Sequence, residues 1–130
     1  MRRLAALLGL ACLVAACGAG SSVYKADPTA KCLSGKGYGV TTDDARVGVV
    51  AAAAPNGGLL AHEPGNALTI AFGENSDDAL AIQRAFRRFA PKKLRPHIAD
   101  VMRTRSNAVL LWTITPSVEE QSKVDGCLKG

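Results

Sequence analysis

Apolar and polar positions recur along this chain with two different periods, and the switches between them lay out the secondary structure. The clearest period of two runs from Ala67 to Phe72: Leu68, Ile70 and Phe72 point one way and Ala67, Thr69 and Ala71 the other. That alternation predicts a strand with one buried face. Leu59 to His62 is its partner, because Glu63-Pro64-Gly65-Asn66 lies between them with Pro and Gly at the two central positions of a type II turn. The clearest helical period runs from Asp77 to Ala90. Ser76 or Asn75 caps it, Asp77 and Asp78 complement the dipole at its start, and Pro91 follows its end. Ala79, Ile82, Phe86 and Phe89 fall within about 80° of one another at 100° per residue, with Ala85 beside them. These five are the expected core face.

Weaker signals complete the order. Asp27 as N-cap and Pro28 at the first helical position open a short helix that carries Cys32 and Leu33 and stops at Gly35. Gly37 to Thr41 reads as a first strand. Thr42-Asp43-Asp44 starts a helix from 43 to 54 on the spacing of Val47, Val50, Ala51 and Ala54, with a strand as the alternative because of Gly48 and the β-branched valines. Pro55-Asn56-Gly57-Gly58 ends it. Ile98 to Arg105 is a strand candidate, and Arg105-Ser106-Asn107 turns into the nearly continuous apolar run Ala108 to Ile114. Such a run suits a central strand covered on both faces, or on one face plus a partner. Ser117 and Glu120 have capping-box spacing at the start of a last helix whose apolar side is Val124, Cys127 and Leu128. Hairpins separated by helices predict an α+β, two-layer domain. Its mainly antiparallel sheet has four or five strands, with helices on one face. The helix from 77 to 90 forms a right-handed crossover if the strands it joins are parallel.

The first residues follow a different plan. After Arg2-Arg3, the apolar run Leu4 to Val14 has eleven residues, well short of the roughly twenty that cross a bilayer. A charged start, an apolar run and small residues make a secretory signal peptide. Val14-Ala15-Ala16-Cys17 resembles the lipobox of bacterial lipoproteins. The resemblance covers residues 1 to 17 only. It implies cleavage after residue 16 and lipid on the sulfur of Cys17, so that the chain sits on the extracytoplasmic side of the cell membrane. Gly18 in place of an aspartate would allow the outer membrane of a two-membrane cell. Gly18-Ala19-Gly20-Ser21-Ser22 then begins a flexible tether, residues 17 to 26, ahead of a single globular domain, residues 27 to 130. On this reading Cys12 leaves with the signal and Cys17 is occupied. Cys32 and Cys127 remain, and in an oxidising compartment they read as a structural disulfide. They lack the Cys-x-x-Cys spacing of a redox pair.

Charge and chemistry narrow the function less than the address. Losing Arg2 and Arg3 takes the formal charge from +5 to +3, too little to argue for nucleic acid. The asymmetry is local: between residues 84 and 105 stand eight basic residues and one acid, Asp100. Arg84, Arg87, Arg88, Lys92, Lys93 and Arg95 are either a solvated face or a contact for anionic lipid headgroups or cell-wall polymer. His62 and His97 belong to no metal or triad pattern, and no motif calls for a cofactor or a metal. Three function classes stay open. The leading one is a non-enzymatic, lipid-anchored domain that binds an envelope protein or polymer. The others are an accessory or inhibitory module for an envelope enzyme, and a small hydrolase whose site is assembled from residues distant in the chain.

Overall fold

The computed structural model describes residues 23–130. The elements in chain order are α1 (Ala26–Gly35), β1 (Gly39–Thr41), α2 (Asp44–Val47), α3 (Val49–Ala52), β2 (Gly58–Glu63), β3 (Asn66–Phe72), α4 (Ser76–Phe89), a 3-10 turn (Arg95–His97), α5 (Ile98–Val101), β4 (Met102–Arg105), β5 (Ala108–Trp112) and α6 (Val118–Asp125). The strands form one sheet in the order β1-β2-β3-β5-β4, and every neighbouring pair is antiparallel. This is the expected α+β class with five strands. Local chemistry accounts for the sharpest boundaries. Gly65 takes a φ of 94° in the β2–β3 turn, the conformation that the third position of a type II turn requires. Asn75 Oδ1 accepts from the Asp78 amide at 2.9 Å to cap α4, and the reciprocal Ser117–Glu120 capping box opens α6. Strands β3 and β4 run parallel to each other with β5 between them, so α4 is a crossover spanning one intervening strand.

Helices cover both faces of the sheet rather than one. Leu68, Ile70 and Phe72 of β3, with Leu110 and Trp112 of β5, pack with Leu33 of α1 and Val124 of α6. On the other face Ala71 and Val109 pack with Ala51 of α3 and Ala79, Ile82 and Phe86 of α4. The cause is the apolar run of β5: Val109 and Leu110 are both fully buried, so neither face of this strand is left to water.

Four further expectations change. The segment 43 to 54 is helical but breaks into α2 and α3 at Gly48, whose φ of 89° no continuous helix accommodates. Residues 98 to 101 form a helical turn, and the strand begins only at Met102. Phe89 is 62% exposed, because α3 is a single turn and nothing reaches over the last turn of α4. The domain also starts before residue 27, since α1 begins at Ala26 behind Lys25 as N-cap. The backbone of Tyr24 both donates to and accepts from Asn107, so residues 24 to 26 belong to the fold and not to the tether.

Asn107 was legible only as a turn residue, yet it is 1% exposed. Its Oδ1 accepts from the Tyr24 amide at 2.8 Å, and its Nδ2 donates to the carbonyls of Tyr24 at 2.8 Å and Gly73 at 2.6 Å. Three chain segments thus meet on one side chain. Gly73 is required beside it: a Cβ there would stand 2.5 Å from that of Asp78. Among the described residues, 23–130, are two core clusters, a five-stranded sheet and the disulfide. Asn107→Ala strands the Tyr24 amide and carbonyl, while the Gly73 carbonyl keeps its bond from Asn56 Nδ2 at 3.0 Å, and we expect a loss of about 1–3 kcal/mol in urea denaturation. A loss below about 1 kcal/mol would mean that the terminal strap is held by other contacts.

Candidate functional site

Helix α4 gives the molecule two unlike ends. Its first turn lies against Gly73, the residue bridged to Asn107 and Tyr24, so α4 starts at the end of the sheet where the chain enters the fold. Glu74 and Asp77 are exposed there. Fourteen residues later, about 21 Å at 1.5 Å per residue, α4 ends beside Thr69 and Leu111 at the opposite end of the sheet. The last turn carries Arg87 and Arg88, and the following loop carries Lys92 and Lys93.

The basic block divides by what its members touch. Arg95 folds back on the end of α4, donating from Nε to the Ala90 carbonyl at 2.9 Å and from Nη2 to the Arg88 carbonyl at 3.3 Å. It is a cap for helix carbonyls that lack intrahelical partners. Arg103 donates to the Ala99, Asp100 and Met102 carbonyls. Arg105 makes the one ion pair among the described residues, Nε to Asp125 Oδ2 at 3.3 Å, a half-exposed contact of small energetic weight. The other five, Arg84, Arg87, Arg88, Lys92 and Lys93, are exposed, and their side chains make no hydrogen bond or ion pair among the described residues. Of the six sequence candidates, then, five are available to an external anion and Arg95 is committed to the helix end.

An apolar groove opens beside this basic end. About 550 Å³ in volume, it is lined by Pro91, Leu94, Leu111, Trp112 and Ile114, with Lys93 and His97 on the same lining. No carboxylate contributes to it. Trp112 is 1% exposed, and its Nε1–H is buried without a hydrogen-bond partner among the described residues. Pattern reading found Trp112 as a core residue but had no means of finding the groove, which exists because the turn 95–97 and α5 wrap the end of β5. A smaller apolar trough of about 280 Å³ runs between α3 and α4, where Val49 and Phe89 are 66% and 62% exposed.

The remaining candidates fall elsewhere. Cys32 and Cys127 are bonded, with Cα atoms 5.3 Å apart and a separation of 95 positions in sequence. Cys17 and the signal segment lie outside the described residues. His62 is exposed on β2 with its ring over Gly39, where a Cβ would meet Cε1 and Nε2 at 2.6 Å. Among the described residues no three His, Cys, Asp or Glu side chains gather as a metal site. No described helix is long and apolar enough to cross a membrane.

The phenol of Tyr38 has a raised proton affinity. Burial first, then the negative charges of Glu63 and Glu120, push its phenol above 10.0. Its hydroxyl is buried without a partner among the described residues, and the Lys123 ammonium stands 6.0 Å from the ring centroid. A folded-state value above the unfolded one means that this contribution to stability is complete below pH 10 and is lost as pH rises through the folded value. Tyr38→Phe removes the orphaned hydroxyl. At pH 7 we expect unchanged stability or a gain of up to about 1 kcal/mol, and a shallower decline above pH 10. A loss of 2 kcal/mol or more, by the same principle, would mean that the hydroxyl has a partner.

Compared with protein-family models, with curated proteins and with solved structures, the chain matches none.

Proposed function

We propose that this chain is a lipid-anchored, non-enzymatic extracytoplasmic domain that presents its basic end outward, to an anionic polymer of the cell envelope. The observation that carries the reading is the polarity of the fold. The chain enters at one end of the sheet, and the unpaired cations collect at the other. The lipobox-like Val14-Ala15-Ala16-Cys17 supplies the anchor, and the Cys32–Cys127 bond suits an oxidising compartment.

Geometry favours one orientation. From Cys17 to Tyr24, the first residue hydrogen-bonded into the fold, seven peptide units reach at most about 25 Å when fully extended. A domain of this length is about 34 Å across, from the scaling of its radius of gyration. With the entry end toward the bilayer that holds the anchor, the basic end faces away from it. It stands roughly 20 Å beyond the end where the chain enters, more than two Debye lengths at physiological ionic strength. In that orientation a polymer lying farther out meets the cations before the headgroups of the anchoring membrane do.

Two measurements check this reading. The intact mass of protein purified from its native membrane should match acylated Cys17 to Gly130 and rise by two hydrogens on reduction. An unlipidated mass with free thiols would remove both anchor and compartment. The second is co-sedimentation of the domain with isolated cell-wall material, compared with anionic phospholipid vesicles. Replacing Arg84, Arg87, Arg88 and Lys92 together by Gln should cut wall retention about tenfold or more at low salt, with a smaller difference at high salt. Retention equal to that of the parent protein would overturn the polymer contact.

A further inference from the structure

We infer that the groove beside the basic end is a binding site for an amphiphilic anion, a molecule with an aliphatic chain and a single carboxylate or phosphate at one end. This goes beyond the polymer contact and does not depend on it, because the groove and the outward arginines are different surfaces.

Three features of the groove select this chemistry. The first is size and character. At about 550 Å³, with Pro91, Leu94, Leu111 and Ile114 on its walls, it falls within the range of small-molecule sites, which are mostly apolar with a few polar groups. The second is hydrogen bonding. The Lys93 ammonium and the His97 ring stand on the lining, and each offers an N–H donor. An ammonium only donates, so an acceptor matches it and a second donor does not. The third is charge. Lys93 has no ion-pair partner among the described residues, and no acid shares the lining to compete for it. A cationic amphiphile would lack any counter-charge there. A neutral one would leave the ammonium without its ion pair.

The only tryptophan of the chain lines the groove, so its emission reports occupancy directly. The experiment titrates decanoate, below its aggregation concentration, into oxidised protein of residues 23–130, the part that contains both cores, the sheet and the disulfide. A saturable change in Trp112 emission is expected, with decanol binding at least about tenfold more weakly and decyl phosphate comparable to decanoate. Lys93→Gln should weaken decanoate about five- to tenfold with an unchanged far-ultraviolet spectrum. Lys31→Gln, an exposed cation on α1 off the groove lining, should leave it unaltered. No saturable change would overturn the site, and so would decanol binding as tightly as decanoate. An emission change with phosphatidylglycerol vesicles but none with monomeric decanoate would overturn it in favour of surface contact. Because residues 23–130 lack Cys17, failure here leaves the anchored reading standing, and failure of the anchor leaves this site standing.

Discussion

One face of the sheet is covered by two helices from opposite ends of the chain, and the fold depends on their being held together. Helix α1 has ten residues and α6 has eight, lengths at which an isolated helix is marginal in water. Between them they bury the side chains of β3 and β5 that include Trp112, Phe72 and Leu68. The Cys32–Cys127 bond joins the two helical ends directly. Closing a loop of about 100 residues restricts the unfolded chain by roughly 4 to 5 kcal/mol in the chain-entropy treatment, a large part of the net stability of a domain this size. Backbone contacts extend the clamp. Lys25 donates to the Lys129 carbonyl at 2.7 Å, and the buried Thr29 hydroxyl both donates to that carbonyl and accepts from the Lys129 amide.

The opposite face is covered by helices placed in the middle of the chain, and it is more open. Helix α4 buries Ala79, Ile82 and Phe86 there, but α2 and α3 are single turns separated by Gly48. Gly58 shows how closely α3 sits where it does touch: a Cβ at that position would lie 2.5 Å from the Ala51 carbonyl oxygen. Beyond this contact the cover stops, leaving Val49 and Phe89 in solvent. Stability and exposed surface are thus divided between the two faces. The clamped face is closed, and the face with short helices carries the apolar openings and the unpaired cations.

Polarity along the sheet follows from the same connections. A crossover helix must begin at one end of its sheet and finish at the other, and here its first turn is acidic and its last turn basic, the arrangement that the helix dipole favours. The dipole alone accounts for charges on the end turns. It does not account for Lys92 and Lys93, which lie past the helix end and add to the cationic character of the groove side.

What the sequence determined by itself are the features written in a few adjacent residues. The β2–β3 hairpin follows from Pro64-Gly65 and the alternation after it, the span of α4 from its cap and from Pro91, and the start of α6 from Ser117 and Glu120. The cysteine pair followed from counting, once the lipobox-like segment was set apart. Each rests on local turn, capping or period chemistry that acts within one or two helical turns of chain. Only the tertiary structure decided which face each helix covers, because the apolar run of β5 is compatible with cover on either side or both. It alone turned Asn107 from a turn residue into the tie between segments 83 and 34 positions away. It also moved Phe89 from the expected core into solvent, separated Arg95 from the free cations, and placed Lys93, His97 and Trp112 on one groove. All of these depend on contacts between parts of the chain that have no common local pattern, and such contacts are set by packing rather than by spacing.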